Sequence, residues 1–291
     1  MMLSSMVPPP RARRRATVWL TALLLALGAC GPAEREPAQA LDDVSPSSPF
    51  LGISEAHPTG HEAISRDGLV ASWSFAADSD GVLRDASGNG HHGSIVEWEG
   101  VPAIFGTAQR FHSTARRIHL TEDPAFDLSG PITVAAWLRL DEGGHHQHVV
   151  ACDDKWALWI TPDDRYRLGD TRGGGFSTPP GSAVTGAWTS VVAVLDGSAG
   201  TQLTPETAQI FVNGESRAAE RHMRSEEAQQ RTTWAPGDLY ASDACYIGFE
   251  SHQGDEAHQS MPFFGAVDEL MVFDRAWTLD ETKAFSTRGS S

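Results

Sequence analysis

From residue 69 onward the chain runs as short apolar segments separated by turn-forming residues, at 69–75, 103–111, 117–120, 132–140, 148–152, 157–161, 188–195, 208–212, 245–249 and 264–273. Several alternate with period two. In residues 132–140, Ile132, Val134, Ala136, Leu138 and Leu140 fall on one face, the signature of a strand with one side buried. No segment carries the 3.6-residue period of a long amphipathic helix, so about ten strands without intervening helices predict two stacked antiparallel sheets or a barrel. Asn213-Gly214 tolerates the positive φ of a type I′ hairpin turn. A single helix is predicted late, where Thr278 and Glu281 form a capping box before residues 282–285. No repeat unit is visible, and residues 68–288 read as one domain, with 289–291 a tail.

The segment ahead of that domain has a different character. Arg11, Arg13, Arg14 and Arg15 precede an apolar run over residues 16–29, too short to span a bilayer and matching the n- and h-regions of a secretory signal. The run ends in Leu27-Gly28-Ala29-Cys30, which resembles the bacterial lipobox. That resemblance implies cleavage after residue 29, lipid on Cys30 and a chain held at a membrane by its acyl groups alone; an ordinary cleaved signal with an incidental cysteine is the alternative. Gly31 rather than Asp after the cysteine implies, by analogy with lipoprotein sorting, the outer membrane, on its periplasmic or cell-surface face. Residues 30–67 contain Pro32, Pro37, Pro46, Pro49 and Pro58 with no periodic apolar pattern, and read as a disordered linker.

Composition narrows the function classes. The 291 residues carry 22 Lys+Arg and 38 Asp+Glu, a formal charge of −16; loss of residues 1–29, with four Arg and no acid, leaves 38 acids against 18 bases, or −20. Such a surface argues against nucleic-acid partners. With Cys30 lipidated, Cys152 and Cys245 remain in an oxidising compartment, where they are expected to pair; two buried thiols are the alternative.

Five landmarks then occur in order: Val70-Ala71-Ser72-Trp73-Ser74-Phe75, Asp85-Ala86-Ser87-Gly88-Asn89-Gly90-His91-His92-Gly93, Ile132-Thr133-Val134-Ala135-Ala136-Trp137, Phe211-Val212-Asn213-Gly214 and the stretch from Gly265 through Asp268-Glu269 to Ala276. Together they resemble the laminin-G-like (concanavalin A-like lectin/glucanase) domain. The resemblance implies an all-β jelly-roll sandwich of two antiparallel sheets, with the first and last strands adjacent. Residues 216–243, crowded with Glu220, Arg221, Arg224, Glu226, Glu227 and Arg231, lack strand pattern and read as an insertion at a sandwich edge.

The Asp85–Gly93 stretch offers a carboxylate, an amide oxygen and a glycine-rich backbone, oxygen chemistry suited to Ca2+. The resemblance extends the ligand set to Asp85, Asn89 and Asp268; Asx-turn hydrogen bonds and loop capping are the alternative roles. His145, His146 and His148, with Asp153 and Asp154 nearby, are candidates for a transition metal or for a solvated loop. Trp98, Trp156, Trp159, Trp188 and Trp234 are candidate platforms for sugar stacking, although most tryptophans are expected in the core. Glycan-cleaving enzymes on this fold need two carboxylates on one strand. Glu97 and Glu99 alternate but lie beside a turn, Asp268 and Glu269 point to opposite faces, and neither a nucleophile elbow nor a phosphate loop occurs. The expectation is therefore a surface-anchored binding module for a carbohydrate or a surface protein. A glycan-cleaving enzyme with a different carboxylate pair and an envelope scaffold are the alternatives.

Overall fold

In the computed structural model, two antiparallel sheets enclose a core that takes the inward half of nearly every alternating segment. The structure describes residues 64–76, 81–113, 115–120, 123–152, 155–170, 174–217, 220–221, 233–236, 245–249 and 261–288, all within the compact unit Ser54–Ser291. The signal segment, Cys30, most of the linker, Asp153, Asp154, much of residues 216–243 and the tail lie outside the described residues.

The strands are β1 (Leu69–Trp73), β2 (Val82–Leu83), β3 (Gly93–Ile95), β4 (Gly100–Pro102), β5 (Thr107–Phe111), β6 (Ile118–Leu120), β7 (Ile132–Leu140), β8 (Gln147–Cys152), β9 (Trp156–Ile160), β10 (Tyr166–Asp170), β11 (Gly175–Ser177), β12 (Trp188–Leu195), β13 (Ala208–Val212), β14 (Glu215–Arg217), β15 (Glu220–Arg221), β16 (Cys245–Ile247) and β17 (Gly265–Phe273). The eight-stranded sheet has the order β14-β13-β12-β7-β17-β5-β4, with β1 also on β17; the nine-stranded sheet runs β15-β11-β10-β9-β8-β16-β6-β3-β2. First and last strands are paired, Leu69 opposite Phe273 and Trp73 opposite Leu270. The edge of β17 facing away from β7 is shared, with β5 taking residues 265–267 and β1 residues 270–273. A bulge at Asp268–Glu269, with Glu269 at φ 49°, falls at that change of partner.

Between the sheets lie Ile132, Val134, Ala136, Leu138 and Leu140 with the fully buried Trp73, Trp156 and Trp234. The opposite side of β7 is also buried: Ala135 and Trp137 pack with Met271, Phe273, Trp277 and Phe285. The cover there includes the one α-helix among the described residues, α1 (Leu279–Thr287), whose Phe285 ring lies 6.3 Å from Trp137. Thr278 caps α1 through the expected box with Glu281. Asn213 and Gly214, at φ 52° and 77°, make the β13–β14 turn. No helix among the described residues is long and apolar enough to cross a membrane.

The 216–243 segment departs from its reading as strandless. Ser216 and Arg217 belong to β14, and Glu220–Arg221 pairs with β11 as an edge strand. Backbone ladders at an edge tolerate charged side chains, which hides such strands from an apolar-pattern search. Trp234, from the same segment, is buried in the interlayer core.

Candidate functional site

The outer face of the nine-stranded sheet is where the sequence's alternation has its chemical consequence. In β9, Trp156, Leu158 and Ile160 point into the core, so Ala157 and Trp159 point outward. Strand register then builds two rows across that face. One runs Ser177, Arg167, Trp159, His148 over β11, β10, β9 and β8. The other runs Gly175, Gly169, Ala157, Ala151, Tyr246, His119, Ser94 over β11, β10, β9, β8, β16, β6 and β3.

The two rows are complementary in size. Trp159 leans over Gly169, where an added Cβ would stand 2.5 Å from the indole edge, so only glycine leaves room for that ring. Arg167 stacks on the other row member, its guanidinium carbon 4.9 Å from the Trp159 ring centre, and the His148 ring lies 5.5 Å away. Trp159, Arg167 and His148 are buried, and the hydroxyl of fully buried Ser177 has no hydrogen-bond partner among the described residues. Further along, the face opens. His119 is exposed, Tyr246 is half-buried, and their rings stack at 5.1 Å with an interplanar angle of 30°. Phe249 meets Tyr246 edge-on at 5.7 Å, and the Arg117 guanidinium sits 5.4 Å over Phe249. Exposed His119 and half-buried Tyr246 offer aromatic surface with polar tips beside Ala151, Ala157, Gly169 and Gly175, which are themselves buried, and such a pair matches a ligand having both CH faces and hydroxyls.

Behind this face, Cys152 and Cys245 are directly opposed in the β8–β16 ladder and are joined as a disulfide, the pairing expected from the sequence. The bridge ties β16, which carries Tyr246, to the strand that carries His148.

Of the five candidate tryptophans, Trp159 alone lies on this face. Trp156 and Trp234 are core residues, Trp98 packs partly against the core, and Trp188 lies on the other sheet under the Arg139 guanidinium, 5.6 Å from its ring. Tyr246 and His119 were missed, although each sits between two apolar residues, Cys245-Tyr246-Ile247 and Ile118-His119-Leu120, and that alternation was the available signal. Glu97 and Glu99 do not meet as a free carboxylate pair. Arg116 contacts both, 3.4 Å from Glu97, while Arg110 and His112 each lie 3.4 Å from Glu99.

The oxygen set expected for Ca2+ does not fit a cation as placed. Asp85 accepts four hydrogen bonds, from Ser72 N and Ser87 N on Oδ1 and from Ser87 Oγ and His91 N on Oδ2. Burial pushes its carboxyl up, but these bonds together hold it below the usual range. Asn89 turns its amide nitrogen to the carbonyls of Leu69 and Val70, both at 2.8 Å. Asp268 is fully buried at the β17 bulge, accepting from Phe105 N and Glu269 N, and burial, with the adjacent Glu269, pushes it up to about 8. All three are occupied with backbone groups: Asp85 and Asn89 pin the Asp85–Gly93 turn to β1, and Asp268 pins residue 105 to β17. Among the described residues, no three His, Cys, Asp or Glu side chains gather into a metal-holding group; His145 packs instead beside Phe264, 6.2 Å between ring centres.

Comparison with solved structures finds the same architecture at low sequence identity. The binding domain of Paraclostridial Mosquitocidal Protein 1 aligns with a TM-score of 0.54 at 14% identity, over 76% of this chain and 52% of that one. Domain 4 of AbnA, an extracellular GH43 arabinanase from Geobacillus stearothermophilus solved in complex with arabinotriose, gives 0.51 at 17%, over 75% and 98%. The botulinum neurotoxin serotype D ligand binding domain, in complex with N-acetylneuraminic acid, gives 0.51 at 12%, over 75% and 50%. The chain thus spans about half the length of the mosquitocidal and neurotoxin chains. No curated protein sequence matches it. The family model of the concanavalin A-like lectin/glucanases superfamily matches residues 113–283, more than half of the chain, and the protein belongs to that superfamily.

Proposed function

We propose that this protein is a glycan-binding module that holds its ligand on the outer face of the nine-stranded sheet, and that lipid on Cys30 tethers it to the outer membrane. The observation that carries the binding reading is the stack of exposed His119 on half-buried Tyr246 on the outer face of the nine-stranded sheet. Pyranose and furanose rings present CH patches to aromatic faces and hydroxyls to polar tips, and this strip supplies both. The arabinotriose and N-acetylneuraminic acid held by two structures of the same fold support a saccharide as the ligand class. Arg167, Trp159, His148, Ser177, Tyr246, His119 and Ser94 include no carboxyl, whereas two-carboxylate hydrolysis needs a pair; that supports binding over cleavage.

A glycan array probed with the purified protein tests this, with calorimetry on any hit. Tyr246→Ala should weaken binding at least tenfold while shifting the melting temperature by only a few degrees, because the ring is half-buried. A hit that Tyr246→Ala and His119→Ala leave unchanged, or release of reducing sugar from the bound glycan, would remove the proposal. The tether is tested separately: incorporation of labelled fatty acid should vanish in Cys30→Ser.

A further inference from the structure

On the other sheet, where β1 meets β17, a cavity of about 120 Å³ opens between the start of the domain and the Asp85–Gly93 turn. Ile64, Leu69, Met271 and Phe273 form its buried floor, Ser72 and Ser74 its side, and Ser65, Arg66 and Ala86 its exposed mouth. We propose that this cavity binds a small carboxylic acid with a compact apolar body, the carboxylate meeting Arg66 and the hydrocarbon meeting Met271 and Phe273. The proposal does not depend on the glycan reading, which concerns the opposite sheet.

Three features support it. The mouth residues are held in place by hydrogen bonds: Arg66 Nη2 donates to the carbonyls of Ala86 at 3.1 Å and Ser87 at 2.7 Å, and Arg275 Nη2 donates to the Ser65 carbonyl at 2.9 Å. Glu281 accepts from Ser65 N, and Asp85 accepts from Ser72 N at 2.9 Å. The walls are therefore held by hydrogen bonds from charged side chains to the backbone rather than free to collapse on one another. Second, Arg66 spends only Nη2 on those carbonyls; among the described residues its Nε and Nη1 donate to nothing, and a guanidinium with two N–H directions left is suited to a carboxylate. Among the described residues, no acidic side chain lines the cavity. Third, the size is selective. A cavity of about 150 Å³ takes benzene, so this one takes a body of about five or six non-hydrogen atoms and rejects long acyl chains.

The full-length protein is titrated with 3-methylbutanoate and, in parallel, with the neutral isostere 3-methylbutanamide, read by ligand-observed NMR and calorimetry. The acid should bind and the amide should bind at least tenfold more weakly. Arg66→Gln should weaken the acid at least tenfold, and Arg66→Lys should recover most of the loss. Ala86→Phe, at an exposed turn position, should plug the mouth and abolish binding without lowering the melting temperature by more than a few degrees. Absence of binding to the unaltered protein, equal binding of acid and amide, or unchanged binding in Ala86→Phe would each overturn the proposal.

Discussion

Arg275 grips Glu281 with two nitrogens, Nη1 to Oε2 at 2.9 Å and Nη2 to Oε1 at 2.6 Å, and so locks the first turn of α1 to the end of β17. This pairing is the largest influence on Glu281, and with the Thr278 hydrogen bonds it outweighs burial, bringing the carboxyl down to about 2. A carboxyl depressed in the folded state stabilises fully above its unfolded value and loses that contribution as pH falls. Acid unfolding should therefore show a component between about pH 4.5 and pH 2 worth roughly 3 kcal/mol. In Glu281→Gln that component should be absent from melting curves taken across the window. A variant that keeps the full acid slope would remove the assignment.

Asp268 behaves in the opposite sense. Its carboxyl, raised to about 8 mainly by burial, is neutral in the fold while the unfolded chain ionises near pH 4. The folded state then holds the extra proton, so stability is complete below about pH 4 and declines as pH rises through about 8, by a few kcal/mol in total. Asp268→Asn mimics the neutral acid. Its melting temperature should exceed that of the unaltered protein at pH 9 and should vary less between pH 5 and 9. Equal slopes for the two proteins would show that Asp268 does not titrate in this window.

Reduction of the Cys152–Cys245 bridge, which closes 93 residues, should lower stability by about 4 kcal/mol in the chain-entropy model. Intact mass without reductant should be two hydrogens short of the dithiol, and denaturant midpoints with and without dithiothreitol measure the loss. Free thiols at both positions would contradict the bond.

For Asp85, the melting temperature should follow hydrogen bonds rather than an ion. Asp85→Ala strands the buried N–H groups of Ser72 and His91 and should cost roughly 2–4 kcal/mol. EGTA and added Ca2+ should leave the unaltered protein's melting temperature where it is. A rise of several degrees on adding Ca2+ would mean that the turn takes up the ion after rearranging.

Gly169→Ala should cost about 1–3 kcal/mol, because the new methyl meets the Trp159 ring. The displaced indole should also lower affinity for any glycan that Tyr246→Ala weakens. Tryptophan fluorescence of the variant reads the displacement directly, and an unchanged spectrum with unchanged stability would refute the contact.

Much of the sandwich was legible because burial imposes period two: residues 132–140 pointed five apolar side chains inward and Trp137 outward, and the structure has them so. The capping box at Thr278 and the Asn213-Gly214 turn were equally local signals. What was hidden was non-local. In β10, Tyr166 and Leu168 face the core, but Arg167 and Gly169 face out, and neither residue type prefers strands. Their meaning appears only when β9 lays Trp159 over them. Asp268 entered the ligand set through the family resemblance alone, and the β17 bulge that gives it two backbone N–H donors, set by two different neighbours along one edge, leaves no mark in the sequence. The opposing case is Tyr246, which the same alternation that located the core would have turned outward.

The placement of β17 has a consequence for how the molecule is made. The strand nearest the C-terminus is not at an edge but in the middle, between β7 and the pair β5 and β1. Until it arrives, the eight-stranded layer exists as three unjoined pieces, β14 through β7, β5 with β4, and β1, each with a bare row of amides. A polypeptide emerging N-terminus first cannot join those pieces until residues 265–273 have been made. Ribosome-stalled chains ending before residue 265 should accordingly be protease-sensitive throughout, and chaperones that shield unpaired strands would be needed over that entire interval.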